Sequence, residues 1–97
     1  MMILTIPFPR FPLGRLAATP SALQALEASG QCLKAFLVRH ARGDWGDLCD
    51  ADRQENARAL RQGGRLMSTY TLKSGQTLWI ITEADRSVTT LLLPLEY

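Results

Sequence analysis

LWIITEADRSVTTLLLP, residues 78–94, is the densest apolar and β-branched stretch of the chain. A charged segment, residues 83–87, divides it into two halves. Threonine and branched aliphatic side chains suit the pleated surface of a sheet, and both halves are rich in them. Pro94 lacks the backbone donor that a further sheet residue would need. The stretch therefore predicts an antiparallel hairpin whose strands are Leu78–Thr82 and Val88–Leu93.

Local start and stop signals divide the rest of the chain into helices and strands. Thr19 followed by Pro20 is a typical helix start, because threonine caps the first amides and proline fits the first turn. Glycines just after residues 29 and 62 mark helix ends. The predicted helices are residues 20–29, 31–41 and 51–62, and the further predicted strands are residues 13–18 and 65–72.

These elements predict an α+β fold in which three helices pack on one face of a three- to four-stranded antiparallel β-meander. At 97 residues the chain is expected to form a single domain, 1–97. The apolar periodicity assigns twelve residues to the core. They are Leu23, Leu26, Leu33, Phe36, Leu37, Leu60, Leu66, Tyr70, Leu78, Ile80, Val88 and Leu92.

The composition argues against several classes of protein. An apolar fraction of 46% and a charged fraction of 21% are ordinary for a globular protein. No stretch approaches the roughly 18 apolar residues of a membrane helix, and the first residues lack the basic start of a secretory signal. Cys32 and Cys49 are too few for a disulfide framework, so a cytoplasmic protein with free thiols is expected. No cofactor, metal or membrane partner is expected.

Residues 1–12 form a proline-rich N-terminal arm. Residues 2–6 could make a short strand, after which three prolines favour an extended chain that carries Phe8 and Phe11. Such an arm either packs across its own core or reaches a partner. Before Gly43, five basic residues accompany one acidic residue. That excess could present a basic patch, although a normally solvated surface is the simpler interpretation.

Residues 43–47, GDWGD, are the sharpest local feature of the sequence. The two glycines indicate backbone with positive φ. Trp45 either fills the seam between the helices and the sheet, which is favoured, or anchors a partner. Asp44 and Asp47 cap local amides or, together with His40, bind a metal. Because His40 continues the apolar stripe of its helix, a hydrogen-bonded structural histidine is favoured over a metal ligand.

Three charged residues at the hairpin tip are the other candidates for function. Glu83, Asp85 and Arg86 could bind a partner or transfer protons, whereas charged residues at hairpin tips are usually just solvated. A thiol nucleophile paired with His40 is also considered. Cys32 lies about 12 Å from it along the helix axis and cannot reach it, while Cys49 is not excluded.

Several blocks of the sequence resemble a known family. They are LAATP at 16–20, His40 with GDWGDL at 43–48, GGRL at 63–66, WIITEADRS at 79–87, TT at 89–90 and LLP at 92–94. The family consists of small uncharacterised proteins from proteobacterial plasmids and integrative conjugative elements, often labelled "plasmid-related protein" or "type I restriction endonuclease subunit M". The resemblance extends from about Leu13 to Tyr97 and implies a mobile-element setting, not a reaction. The methyltransferase label conflicts with the residues, because the chain lacks a glycine-rich cofactor loop and an Asn/Asp-Pro-Pro-aromatic motif.

The favoured function is that of a non-enzymatic accessory protein of a mobile genetic element, acting through protein–protein interaction. A link to restriction or other host defence is implied by that setting alone. The candidate binding residues are Asp44, Trp45, Asp47, Glu83, Asp85 and Arg86. The alternatives are a ribonuclease with a RelE/ParE-like toxin layout, which is an analogy of fold only, and a weak nucleic-acid-binding module. From Leu66 to Tyr97 two basic residues stand against three acidic ones, which disfavours phosphate binding.

Overall fold

The computed structural model of the chain describes residues 6–97. Within them lie β1 (Arg15–Ala18), α1 (Pro20–Ser29), α2 (Leu33–Ala41), α3 (Asp50–Gln62), β2 (Leu66–Thr71), β3 (Thr77–Thr82), β4 (Val88–Leu92) and a 3-10 turn (Pro94–Glu96). The α+β class is confirmed, and every α-helix and β-strand begins and ends within two residues of its prediction, whereas the 3-10 turn was not predicted. The strand expected at residues 2–6 lies outside the described residues except for Ile6, which is not in a strand.

The four strands form one sheet in the order β1-β4-β3-β2. The β2-β3-β4 meander is antiparallel, as predicted. However, β1 pairs with β4 in parallel, with Arg15 opposite Val88 and Ala18 opposite Leu91. The expectation of a purely antiparallel sheet is therefore wrong. The chain leaves β1 directly into α1, returns at the opposite edge as β2, and the meander brings β4 alongside β1 in the same direction.

The helices begin and end for local reasons that the sequence revealed, but one of them is rotated relative to expectation. The Thr19 Oγ1 atom accepts a hydrogen bond from the Ala22 amide at 3.1 Å, which caps α1. Ala22, Ala25 and Leu26 face the core, whereas Leu23 is 43% exposed. Its assignment to the core is wrong, because residue 23 lies about 100° round the helix from residue 22.

The main core joins α1 and α2 to the three strands of the meander. It contains Ala22, Ala25, Leu26, Phe36, Leu37, Tyr70, Leu72, Leu78, Ile80 and Leu91. Ile80 pairs with Leu91, so Leu91 shares its face and Val88 and Leu92 lie on the other. The core assignment of Val88 is corrected accordingly, since an odd shift in position exchanges the two faces of a strand. The placement of all three helices on one face of the sheet stays a prediction.

Candidate functional site

The carboxylate of Asp44 accepts hydrogen bonds from α2 and from its own loop. It accepts hydrogen bonds from Arg39 Nε at 2.7 Å and Nη2 at 3.3 Å, and from the Gly46 amide at 3.2 Å. The hydrogen bond from Arg39 holds the pKa of Asp44 below its usual value. The Asp44 carbonyl oxygen accepts a 2.5 Å hydrogen bond from the Tyr70 hydroxyl. Asp44 therefore fixes the loop to α2 and β2.

The next residues of the loop close the outer edge of β2. The Thr69 amide donates to the Trp45 carbonyl at 3.1 Å, and the Asp47 amide donates to the Thr69 carbonyl at 2.8 Å. The Thr71 hydroxyl donates to the Asp47 carboxylate at 2.9 Å. Gly46 has φ +73 and forms an isolated bridge with Thr69. The prediction of positive φ at Gly43 or Gly46 is confirmed at both residues.

The Trp45 side chain is buried, as favoured from the sequence. Its ring is stacked on Phe11, with centroids 6.1 Å apart, and meets His40 edge-on at 5.6 Å. Leu48, Ala59 and Leu66 complete this second cluster. Trp45 is thus a core residue that joins the N-terminal arm to the sheet, and it is not an exposed partner anchor.

His40 is fully buried and forms the centre of a chain of hydrogen bonds. Its Nδ1 atom lies 2.5 Å from Ser68 Oγ, and its Nε2 atom lies 2.9 Å from Thr82 Oγ1. Thr82 Oγ1 lies 2.7 Å from Thr89 Oγ1, and the Thr89 hydroxyl donates to the Leu13 carbonyl at 2.7 Å. This chain connects α2 to all three strands of the meander and to the arm.

The donor–acceptor order of these hydrogen bonds determines which ring nitrogen of His40 donates. A carbonyl oxygen only accepts and a hydroxyl has one proton to donate, so Thr89 donates to Leu13 and Thr82 donates to Thr89. His40 then donates from Nε2 to Thr82. Because burial lowers the pKa of His40 to about 3, the imidazole is neutral near pH 7 and accepts at Nδ1 from Ser68. The expectation of a hydrogen-bonded structural histidine is confirmed.

Arg86 joins the hairpin tip to the end of α3. Its guanidinium donates to the carbonyls of Gly64 at 2.5 Å and Ala59 at 3.1 Å, and to those of Glu83 and Ala84 at 3.2 Å each. The cation also lies 5.8 Å from the centroid of the Phe11 ring. A guanidinium beside the last turn of a helix interacts favourably with the helix dipole. Arg86 therefore acts as a structural cross-link.

The two acids of the hairpin tip, Glu83 and Asp85, are more exposed than Arg86 and form fewer hydrogen bonds. The Asp85 carboxylate accepts from the Ser87 amide at 2.9 Å, and hydrogen bonds from Ser87 hold the pKa of Asp85 below its usual value. The Glu83 main chain pairs with Val88, while its side chain is exposed. Within residues 6–97 neither acid forms an ion pair with Arg86, which binds main-chain carbonyls instead.

The six predicted binding residues do not converge on one site. Asp44, Trp45 and Asp47 close the β2 edge, and Arg86 braces the hairpin against α3. Across residues 6–97, no three His, Cys, Asp or Glu side chains are grouped as metal ligands. His40 has both ring nitrogens bonded to hydroxyls, so it does not share a metal with the aspartates. The two cysteines are exposed, whereas His40 is fully buried.

The N-terminal arm has an exposed apolar surface. The sequence predicted the arm but left open whether it packs on the core or reaches a partner. Phe8 is 86% exposed and has φ +55 between two prolines. Beside it an open pocket of about 320 Å³ is lined by Ile6, Pro9, Phe11, Pro12, Leu13, Gly14 and Leu16. We call Phe8 and this pocket the arm patch. Phe11 packs inward, in agreement with one of the two alternatives, whereas Phe8 is exposed, and contact of the arm with a partner stays a prediction.

Comparison with protein-family models, with curated protein sequences and with solved structures finds no match to this chain. The resemblance inferred from the sequence blocks therefore stays a prediction. Across residues 6–97, every helix is too short or too polar to cross a membrane.

Proposed function

We propose that this protein is a non-enzymatic accessory protein of a mobile genetic element that acts in the cytoplasm by binding another protein. The mobile-element setting is supported by the sequence blocks that resemble plasmid-borne proteins. A role in restriction or another host-defence system depends on that setting. The binding function is supported by the arm patch.

The observation that carries the binding function is the conformation of Phe8 beside the arm pocket. Its ring is exposed next to an apolar pocket, and aromatic residues are enriched at protein–protein interfaces. A positive φ is costly for a residue with a Cβ atom. The prolines on both sides restrict the free chain, so less conformational entropy is lost when a partner binds.

The partner is expected to be both apolar and acidic at the point of contact. The arm pocket, at the lower end of the range of small ligand sites, suits one or two aliphatic side chains. Arg10 and Arg15 are exposed beside the pocket-lining residues, and the chain before Gly43 is basic overall. Acidic groups around an apolar centre would complement this surface.

A two-stage experiment tests the proposal. The partner is first captured from the native host, identified by mass spectrometry and purified, and its affinity is then measured by calorimetry. We expect Phe8→Ser to weaken binding at least tenfold. Leu23→Ser is the matched control, because Leu23 is also an exposed apolar residue but lies on α1. Equal affinities for the Phe8→Ser variant and the unaltered protein would overturn the role of the arm patch.

The ribonuclease alternative is tested separately with purified protein. A nuclease needs a proton-transfer group and cations that reach the phosphate. His40 is buried and neutral, and Arg86 is bonded to four carbonyl groups. We therefore expect no cleavage of RNA or DNA, with or without divalent metal. If the purified protein cleaves nucleic acid and the Arg86→Ala or His40→Ala variant does not, the result would contradict the binding function and support the ribonuclease alternative.

A further inference from the structure

The outer edge of β1 is exposed backbone that no described residue pairs with. The amides of Arg15 and Thr19 donate to Ser87 and Leu91 of the neighbouring β4 segment at 2.9 and 3.0 Å. Because backbone groups alternate along a strand, those of Ala17 face β4 too, and those of Leu16 and Ala18 face outward. Leu16 is itself 43% exposed.

From this arrangement we propose that β1 pairs with β1 of a second copy of this chain, in antiparallel orientation about a two-fold axis at Ala17. In that register Leu16 of each copy lies opposite Ala18 of the other, which gives two equivalent pairs. Both are residues whose backbone groups face outward, so each pair exchanges two N–H···O bonds and all four outward-facing residues are satisfied. The two sheets become one continuous sheet of eight strands.

The same register brings opposite charges together at each end of the contact. Arg15 falls opposite Thr19 of the other copy. The Thr19 hydroxyl donates to the Glu96 carboxylate at 2.7 Å, which places that acid beside Thr19. The Leu93 amide holds the same carboxylate at 2.8 Å. Arg15 is exposed and its side chain is long enough to reach a group beside a directly opposed residue. Two symmetric Arg15–Glu96 pairs result.

This charge pattern is the reason to choose a second copy over an unrelated extended peptide. A peptide could satisfy the backbone groups of Leu16 and Ala18 equally well. Only this chain supplies Glu96 at the position that antiparallel two-fold pairing puts opposite Arg15. The contact is small, so we expect a weak dimer with a Kd in the micromolar range, on the order of 10–100 μM.

Sedimentation equilibrium of the purified full chain, from about 1 to 500 μM, tests the proposal. We expect a concentration-dependent dimer that Arg15→Glu or Glu96→Lys each weakens at least tenfold. The double variant restores it, because the charges are exchanged. Arg61→Glu, at an exposed site on α3, is the control with the same charge change as Arg15→Glu and leaves the dimer unchanged. A monomer at all concentrations, or a double variant no better than either single one, overturns the proposal.

Amide hydrogen exchange gives a second measurement that does not depend on a substitution. The amides of Leu16 and Ala18 should gain protection as concentration rises, while those of Arg15 and Ala17 change little. If Leu16 and Ala18 are protected equally at every concentration, the edge is covered within one molecule and the dimer is wrong. Neither measurement involves the arm partner, so failure here leaves the proposed function standing.

Discussion

The two edges of the sheet are built in opposite ways. At the β2 edge, the Asn56 carboxamide donates to the Met67 carbonyl at 2.7 Å and accepts from the Met67 amide at 3.2 Å. Two residues further on, the loop of residues 45–47 binds both backbone groups of Thr69. At the β1 edge, by contrast, no described residue pairs with the outward groups of Leu16 and Ala18.

The difference between the two edges shows why polar and aromatic residues in a glycine-flanked loop need not mark a binding site. An uncovered strand edge is a template for pairing with another chain, and proteins close such edges with polar groups or loops. Here Asn56, Trp45 and Asp47 perform that closure. At the β1 edge, which no described residue covers, the outward backbone groups belong to Leu16 and Ala18, which are apolar and were not candidate binding residues. Four of the six candidate binding residues thus make structural contacts (Asp44, Trp45, Asp47 and Arg86), whereas the proposed interface lies at the β1 edge.

The closed edge is broken most directly by Gly46→Ala. A Cβ atom there would lie 2.0 Å from the Thr69 carbonyl oxygen, and φ is +73. We expect the free energy of unfolding to fall by more than about 3 kcal/mol, since the loop must leave β2 and its backbone hydrogen bonds are lost. Gly30→Ala is the matched control, because φ is +69 but no atom lies within 4 Å. Equal losses for the two variants, measured by urea unfolding, would contradict the closure.

The hydrogen-bond chain through His40, which runs from β2 to β4 and Leu13, is tested by the pH dependence of stability. His40 is neutral when folded, with a pKa of about 3, and takes up a proton more readily when unfolded, near 6.5. The contribution of the neutral His40 to the free energy of unfolding is therefore fully present above about pH 6.5 and is lost as the pH falls towards 3. At pH 4.5 the loss due to His40 should be roughly 2–3 kcal/mol.

His40→Gln supplies the reference for that measurement. Glutamine does not titrate, so the variant should lack this pH dependence while keeping a side chain that hydrogen-bonds. The carboxylates of Asp44, Asp85 and Glu96, whose pKa values are also lowered, are present in both proteins and cancel in the difference. Urea unfolding at pH 7 and 4.5 gives the comparison. Identical pH dependence in the two proteins would mean that the neutral, buried histidine is wrongly assigned.

A smaller effect is expected where a single side chain closes the edge. Asn56→Ala removes both hydrogen bonds to Met67 at a partly buried site, so we expect a loss of about 1–2 kcal/mol. The Met67 amide should also exchange faster with solvent. Gln54→Ala on the exposed side of the same helix should change stability by less than about 0.5 kcal/mol. If both substitutions have the same small effect, Asn56 does not protect the edge.

The sequence predicted the elements well because their signals are local. The Thr19–Pro20 start, the glycines after α1 and α3 and the β-branched runs each act within a few residues. The parallel pairing of β1 with β4 could not be predicted in this way, since it depends on residues more than 70 positions apart in the chain. The face of β4 that meets the core depends instead on the β3–β4 register, in which Ile80 pairs with Leu91, and a shift of one residue there explains the error at Val88.

The candidate site shows the same division between local and distant information. The positive φ at Gly43 and Gly46 and the burial of Trp45 followed from residue type. Two of the four carbonyl partners of Arg86 did not, because Ala59 and Gly64 belong to α3 and the segment after it. Asn56 was missed although a signal existed. It falls at i, i+3 and i+4 with Ala59 and Leu60, and a polar residue on an inward-facing stripe must find a partner.

The smallest expected effect compares the two edges with one substitution. Leu16 lies on β1 and is 43% exposed, whereas Leu66 begins β2 and is fully buried. Threonine is β-branched and suits a strand, so the exposed position should tolerate it. We expect Leu16→Thr to change the free energy of unfolding by no more than about 0.5 kcal/mol, and Leu66→Thr to cost about 2–5 kcal/mol. Both are measured near 1 μM protein, where the proposed dimer is dissociated. A loss above about 1.5 kcal/mol for Leu16→Thr would mean that the β1 edge is already covered in the monomer, and the contrast between the edges would then no longer hold.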